Sequence, residues 1–277
     1  SAAAHAIPGQ PGTLDTTFNG TGKVVTHISG GNNIALAAAL QPDGKIVLGG
    51  SCSISGLNNF CVLRYNANGS LDTSFGGTGK ITTVVATTNS LNAVAVQRDG
   101  KLVLAGQCNV SGAFAFCARR YNADGTPDNA FGDGVTGLAH TPMGSGSSAA
   151  TAMVVQPDGK LVLVGRCTGV VNVDFCALRL NADGSPDLSF GTSGKVITAI
   201  STQGNGIDSP KAVALQPDGK LVLAGECAGA SVNDFCALRY NANGTLDLTF
   251  NGTGWVKVHV GAAATTNGAS AVVVQPD

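Results

Sequence analysis

Eight cysteines stand in four pairs, and eight residues separate the two members of each pair. Paired cysteines can form disulfides or bind a metal. Structural zinc sites prefer closer cysteines and usually add histidine or more cysteines nearby, whereas neighbours across a hairpin lie within disulfide range. We therefore predict four disulfides and no metal site. The pairs are Cys52/Cys61, Cys108/Cys117, Cys167/Cys176 and Cys227/Cys236.

Four disulfides indicate an oxidising compartment. The expected location is extracellular, at the cell surface or in the periplasm. The formal charge is −1, from 16 basic and 17 acidic residues, which gives no electrostatic reason to expect nucleic acid or an anionic membrane as a partner. No stretch of the sequence is apolar and long enough to predict a membrane span.

An arginine follows the second cysteine of each pair by three residues, and each repeat also holds one aspartate in a Leu-Asp-x-x-Phe-like segment. A charge on a strand inside the fold needs a partner. We predict structural ion pairs, because a feature that recurs in every repeat is typical of the scaffold. The residues are Arg64, Arg120, Arg179 and Arg239, with Asp72, Asp128, Asp187 and Asp247.

A few acidic residues fall outside the repeat pattern. Asp174, Asp208 and Asp234 lie in predicted loops of neighbouring repeats, together with Glu226, the one glutamate, and the loop aromatic Phe114. Two such carboxylates could act as the acid and base of a glycosidase, or all could be solvated loop residues. We name these five residues as candidate binding-loop residues and predict no catalytic residue, since no nucleophile elbow, phosphate loop or haem motif occurs.

The Asn/Asp turns place oxygen-bearing side chains at alternate positions, as in residues 66–72. This spacing faintly resembles a calcium loop but lacks its regular carboxylates and its bidentate glutamate. Asn and Asp also favour turns for conformational reasons. We expect no cofactor, with calcium at these turns as the alternative.

Three of the four histidines, His27, His140 and His259, follow a marker phenylalanine by nine residues. That shared repeat position would lie near the end of an outer strand in different repeats. The histidines would then be far apart, so a common metal site is not expected.

These residues are held by a repeat of 56 to 60 residues. The segment Gln41-Pro42-Asp43-Gly44-Lys45 recurs from Gln97, Gln156 and Gln216, and it begins again at Gln275. Each unit contains four short apolar runs separated by Gly/Asn/Asp turns, which predicts strands. Four antiparallel strands repeated at this period predict an all-β propeller of four-stranded blades.

The chain resembles the delta-60 repeat family, a bacterial β-propeller repeat of the DUF5122 type with no known function. The matching residues are the Gln-Pro-Asp-Gly-Lys turns, the Leu-Asp-x-x-Phe-Gly segments and the Arg-Tyr-Asn-x-[Asn/Asp]-Gly turns, and the likeness covers nearly everything from Leu14 to Asp277. The resemblance implies an extracytoplasmic setting and no known activity.

The pattern places complete blades at about 34–84, 91–140, 150–200 and 210–260 within a propeller of residues 14–277, after a leader of residues 1–13. Residues 22–28 and 269–277 are predicted as parts of a fifth blade closed by the two termini. Full closure would leave no exposed sheet edge. The second and third strands of that blade would come from a longer chain or from a neighbouring subunit.

Loops that vary between units share one end of the predicted propeller with the cysteine-bracketed loops, and variable loops on a rigid scaffold are where specificity is built. We predict a non-catalytic structural or recognition protein that binds a glycan or a protein through this face. Two alternatives stay open: a surface or filament subunit that assembles by strand exchange, and a secreted glycan-active hydrolase.

Overall fold

The computed structural model describes residues 12–85, 89–109, 112–169, 172–201, 206–229, 232–261 and 265–275. These residues contain sixteen β-strands and no helix, so none of them forms a helix that could cross a membrane. Most of the predicted leader, residues 1–11, lies outside the described residues.

The strands form four sheets, and each sheet has four antiparallel strands in chain order. Blade one contains β1 (Asn33–Leu40), β2 (Ile46–Ile54), β3 (Leu57–Tyr65) and β4 (Lys80–Thr83). Blade two contains β5 (Asn89–Val96), β6 (Leu102–Asn109), β7 (Phe114–Tyr121) and β8 (Leu138–Thr141). Blade three contains β9 (Ser148–Val155), β10 (Leu161–Thr168), β11 (Val173–Leu180) and β12 (Lys195–Thr198). Blade four contains β13 (Ser209–Leu215), β14 (Leu221–Ala228), β15 (Asn233–Tyr240) and β16 (Trp255–Val258).

The first strand of each blade is the innermost, because β1, β5, β9 and β13 contact one another in succession. Each of these strands has a bulge opposite a glycine of the second strand. In blade two a Cβ on Gly106 would lie 1.9 Å from the carbonyl oxygen of Ser90, so only glycine fits there. The bulged residue, Asn92, donates from its side-chain amide to the carbonyl of Ala150 in blade three at 2.7 Å. The bulge thus turns one polar side chain towards the next blade.

The hydrophobic core lies between successive blades. Val103 and Phe116 of blade two are fully buried in one cluster with Leu161 and Leu163 of blade three, and similar clusters join blades one and two and blades three and four. Because each apolar face is covered by the neighbouring blade, burial of this surface stabilises the junctions as well as the individual sheets.

All four predicted disulfides are formed, with Cα–Cα distances of 5.8 or 5.9 Å. The two cysteines of a pair are diagonal in the register: Cys52 is opposite Asn59, and Cys61 is opposite Gly50. Each bridge therefore joins the second strand to the third near their connecting hairpin. The bonded pairs are Cys52–Cys61, Cys108–Cys117, Cys167–Cys176 and Cys227–Cys236.

Cys176 makes a polar contact in addition to its disulfide. Its Sγ lies 3.5 Å from the backbone carbonyl oxygen of Asp174, at hydrogen-bond distance for sulfur. The sequence predicted a disulfide for Cys176 but not this contact with the Asp174 carbonyl. Because its sulfur is bonded to Cys167, Cys176 has no thiol proton to donate. The contact is therefore a close approach of two buried groups and not a donated hydrogen bond, and the disulfide assignment of Cys176 is unchanged.

The cysteine hairpins and the loops that enter the first strands lie at the same end of the fold. Ser145 donates its backbone N–H to the carbonyl of Thr168 at 3.0 Å, and Asp208 donates its own to Val173 at 2.8 Å. We call this end the Cys-loop face. It consists of the four cysteine hairpins and the loops between blades.

Residues 22–28 and 269–275 contain no strand, although they were predicted as parts of a fifth blade. A strand needs a hydrogen-bonded neighbour, and the described residues form no sheet with either segment. Residues 276 and 277 lie outside the described residues. The fifth blade therefore stays a prediction.

Candidate functional site

The repeated arginine and aspartate of each blade lie in direct contact. The distance between the arginine Nε and the aspartate Oδ2 is 2.7 Å in all four blades. A lysine from the Gln-x-Asp-Gly-Lys turn reaches the same carboxylate oxygen at 2.7 to 3.1 Å. The lysines are Lys45, Lys101, Lys160 and Lys220.

The arginine also contacts the next blade. In blade two the guanidinium of Arg120 lies 4.6 Å from the centre of the Phe131 ring, and its Nη1 donates to the carbonyl of Ala182 in blade three. Arg64 and Arg179 make the equivalent contacts in blades one and three. We call this set, the Lys, Arg, Asp and Phe of one blade with the Ala carbonyl of the next, the junction cluster.

The junction clusters hold their carboxylates in the ionised form. The hydrogen bond from Lys101, against the opposing effect of burial and with the charge of Arg120, holds the pKa of Asp128 below its usual value. The paired charges and hydrogen bonds offset the desolvation cost of each buried group, so the loss of one partner would be destabilising. The clusters lie between blades, and their geometry is that of a scaffold.

Asp208, one of the candidate loop residues, is a structural tie. Its side chain is 1% exposed. Oδ2 accepts the backbone N–H groups of Ile200 and Ser201, and Oδ1 accepts the Ser201 hydroxyl and the backbone N–H of Ala228, all at 2.6 to 3.1 Å. The carboxylate therefore joins the loop that leaves blade three to two strands of blade four.

The predicted loop position of Asp174 and Asp234 is wrong, because they lie on β11 and β15, opposite the first cysteine of each pair. Both are buried. Asp234 Oδ1 lies 2.7 Å from His259 Nδ1. Asp174 has no such cation among the described residues, and its Oδ1 makes no hydrogen bond there. Burial, and then the negative charge of Asp208, raise the pKa of Asp174.

Glu226 lies half-buried on β14 in an ion pair with Lys211, at 2.9 Å between Oε1 and Nζ. Asn233 donates to its Oε2 at 3.2 Å. Burial acts to raise the pKa of Glu226, but the hydrogen bonds from Lys211 and Asn233, with the charges of Lys211 and Arg166, hold that pKa below its usual value. The only glutamate is therefore an ionised, paired group.

The Asn/Asp turns use their side-chain oxygens locally. Asn68 Oδ1 accepts the backbone N–H and the hydroxyl of Ser70 at 3.0 and 2.7 Å. Asp124, Asp183 and Asn243 make the same two contacts with the residue two positions later. These are turn-stabilising contacts, and calcium at the turns stays a prediction.

His140 and His259 do not share a position in the sheets. His140 is opposite Cys117 in blade two, whereas Lys257 is opposite the equivalent Cys236 in blade four. The difference arises from two additional residues between the marker phenylalanine and β8, which counting from that phenylalanine cannot reveal. The predicted common repeat position is therefore wrong for this pair.

Among the described residues, one group of metal-ligand types lies close together: Cys108, Cys117 and His140, with ligand atoms within 4.8 Å of one another. The two sulfurs are joined in a disulfide. A metal needs the thiolate form of cysteine, so the oxidised protein offers only the imidazole there. Burial lowers the pKa of His140.

A cleft of about 290 Å³ opens on the Cys-loop face between blades two and three. Phe114, half-buried, and Gln107 border it from blade two, and the exposed Arg166 borders it from blade three. The remaining described residues that line the cleft are Ser147, Ser148, Ala149, Thr168 and Val173. Phe114 is the one candidate loop residue that lines this cleft. Arg166 was not predicted as a site residue. The sequence did offer a signal, since the residue before the first cysteine is uncharged or acidic in the other three repeats.

The family described as "Domain of unknown function (DUF5122) beta-propeller" matches residues 41–75, 97–131, 156–190 and 216–250. The chain belongs to this family. Each DUF5122 match runs from the glutamine of the Gln-x-Asp-Gly-Lys turn to the marker phenylalanine. It therefore contains all four side chains of a junction cluster.

No curated protein matches the chain. Among solved structures, it is similar to a GH43_12 protein retrieved from the capybara gut metagenome, with 9% identity, a TM-score of 0.42, and coverage of 82% of this chain and 41% of that one. It is also similar to a polysaccharide lyase of family PL25, an ulvan lyase bound to a -[GlcA(1-4)Rha3S]- saccharide, with 10% identity, a TM-score of 0.43, and coverage of 79% and 56%. A third is Sqt1 from Chaetomium thermophilum, with 12% identity, a TM-score of 0.36, and coverage of 78% and 61%. The chain thus spans 41% to 61% of the length of these structures.

Proposed function

We propose that this DUF5122 protein is a non-catalytic recognition module, extracellular, at the cell surface or periplasmic, which binds a glycan in the cleft between blades two and three. The cleft carries the proposal. It combines an aromatic ring, Phe114, with the hydroxyl and amide groups of Ser147, Thr168 and Gln107. Ligand sites are typically concave, with apolar or aromatic walls and a few polar groups that fix orientation. A sugar offers an apolar C–H face and a rim of hydroxyls, which this lining complements.

The rigid surroundings support a binding role. The disulfide of Cys108 and Cys117 lies in the hairpin that carries Phe114. The hydroxyl of Ser148 donates to the Phe114 carbonyl at 3.3 Å, which connects the two walls of the cleft. Preorganised walls reduce the entropy lost when a ligand binds.

The placement of the carboxylates supports binding over hydrolysis. The described residues that line the cleft include no Asp or Glu. Asp174, Asp208 and Asp234 are at most 7% exposed, and Asp208 and Asp234 are engaged with protein groups. A glycosidase of the common type needs two carboxylates on either side of the scissile bond.

A glycan array with the purified oxidised protein tests the proposal. We expect retention of at least one polysaccharide, and about tenfold weaker binding by Phe114→Ala because an aromatic contact is lost. Leu57→Ala is the matched control, since Leu57 is an exposed apolar residue, 43% accessible, on the cysteine hairpin of blade one. Failure to retain any glycan would contradict the proposal. New reducing ends would instead support the hydrolase, and concentration-dependent oligomers without ligand would support the assembly alternative.

A further inference from the structure

We infer that the cleft between blades two and three selects anionic saccharides, and that Arg166 is the residue that recognises the carboxylate or sulfate group. The inference rests on the proposed glycan binding and names the ligand class for that site. It is carried by the charge and exposure of one side chain among four equivalent positions.

Arg166 occupies the position between the glycine and the first cysteine of the second strand. The equivalent residues in the other blades are Ser51, Gln107 and Glu226. A cation at this position therefore occurs in blade three alone, and the scaffold does not require it. The arginines of the junction clusters are buried or half-buried and paired, whereas Arg166 is exposed at the cleft.

The positive charge of Arg166 is not neutralised by a contact. Arg166 forms no salt bridge with a described carboxylate. Its charge acts on Glu226 only at longer range, and Glu226 is already paired with Lys211 at 2.9 Å. The described lining of the cleft contains no other charged residue. The cleft thus presents one guanidinium beside one aromatic ring.

This chemistry fits an acidic sugar better than a neutral one. A guanidinium binds carboxylate or sulfate oxygens through two parallel hydrogen bonds, which lysine cannot reproduce with the same geometry. The volume of about 290 Å³ lies at the lower end of the usual range of ligand pockets. The site therefore suits one charged residue of a saccharide chain.

The test compares saccharides with the same sugar backbone that differ in their anionic groups. Isothermal titration at low and at physiological salt would use an oligogalacturonate against its methyl ester, and dextran sulfate against dextran. We expect the anionic member of each pair to bind at least tenfold more tightly, in line with a hydrogen bond to a charged group. Arg166→Gln should reduce that ratio to near one, Arg166→Lys should restore it in part, and salt should weaken the wild type more than Arg166→Gln.

Two controls separate this inference from the proposed function. Phe114→Ala should weaken charged and neutral saccharides by the same factor. Arg98→Ala, an exposed arginine in a turn at the opposite end of blade two, should leave the charge ratio unchanged. Equal binding of charged and neutral saccharides, or an equal loss in Arg98→Ala and Arg166→Gln, would overturn the anionic preference and leave glycan binding intact. Binding of no saccharide would overturn the proposed function itself.

Discussion

Asp208 shows how a buried carboxyl group can be satisfied by nearby donors. Its two oxygens accept four hydrogen bonds, from the loop after β12 and from the end of β14. Asn33 occupies the equivalent position in blade one and accepts the backbone N–H and hydroxyl of Ser29 through Oδ1. The position therefore fastens an incoming loop to the first strand in both blades.

Asp208→Ala should lower the free energy of unfolding by about 3 kcal/mol, because buried N–H donors are left without acceptors. Urea unfolding of the oxidised protein measures the change. Asp158→Ala is the control, since Asp158 is an exposed turn residue whose Oδ1 accepts the Lys160 N–H at 3.1 Å, and we expect a loss below about 1 kcal/mol. Equal losses of unfolding free energy in the two variants would show that the Asp208 hydrogen bonds do not stabilise the fold.

Asp174 should make stability depend on pH. Its pKa is raised in the folded state by burial and by Asp208. The contribution of Asp174 to the free energy of unfolding is therefore fully present below the unfolded pKa, about 3.9. It is lost as the pH rises through the folded pKa. Asp174→Asn should match the wild type at low pH and exceed its melting temperature increasingly towards neutral pH.

Asp133 provides a control of opposite sign. Burial acts to raise its pKa, but hydrogen bonds from Thr136 and from the backbone of Val135 lower it to about 2. The contribution of Asp133 to the free energy of unfolding is present above the unfolded pKa. It is lost as the pH falls towards 2. Asp133→Asn should therefore melt below the wild type at neutral pH and approach it in acid. An Asp174→Asn melting curve that runs parallel to the wild type at all pH values would contradict the assignment for Asp174.

The junction cluster makes each arginine part of two blades. Arg120 contacts Asp128 and Phe131 within its own sheet and the Ala182 carbonyl in the next. Arg239 has the same partners within blade four, but no described residue offers it a carbonyl from a following blade, and its side chain is 20% exposed against 10% for Arg120. The two arginines therefore share a sequence motif and differ in surroundings.

Arg120→Ala should cost about 3–5 kcal/mol, the range for removing one partner of a buried ion pair. Arg239→Ala should cost clearly less, because Arg239 is more exposed and makes no described contact with a following blade. Denaturant midpoints of the two variants provide the comparison. A similar cost for both would mean that the contact across the junction adds nothing.

Much of this arrangement follows from the sequence. The hairpin spacing of the cysteines predicts the disulfides, and a strand arginine must find a carboxylate, which the repeat supplies once per unit. The role of Lys45 was missed because its own turn contains Asp43, an equally reasonable partner at 3.7 Å. The burial of Asp174 beside Cys176 and the cleft at Phe114 could not be predicted, because both depend on how loops of adjacent blades pack.

The blades differ in how many neighbours they have. Blades two and three are covered by core clusters on both sides. On β1, Ile34, Leu36 and Leu40 are more than half exposed. In an array of repeats, stability is the sum of terms within each repeat and terms between neighbouring repeats. Among the described residues, blades one and four each have one such neighbour.

Hydrogen exchange should show this gradient. Amides of β6 and β10 should exchange most slowly, and those of β1 and β16 earliest, because local opening costs least where packing is one-sided. Mass spectrometry of peptic peptides from the oxidised protein resolves the four blades. Uniform protection across all four would instead indicate that the described blades open as a single cooperative unit.

The junction cluster also bears on how such a protein can change its length. Each period brings the lysine, arginine, aspartate and phenylalanine for one junction and the turn that completes the junction before it. A tandem duplication of one whole period would add a blade and a complete junction cluster. This holds wherever within the repeat the duplicated segment begins. A deletion of part of a period would leave two unmatched halves. Recombination between repeats would therefore conserve the fold only in multiples of the full unit.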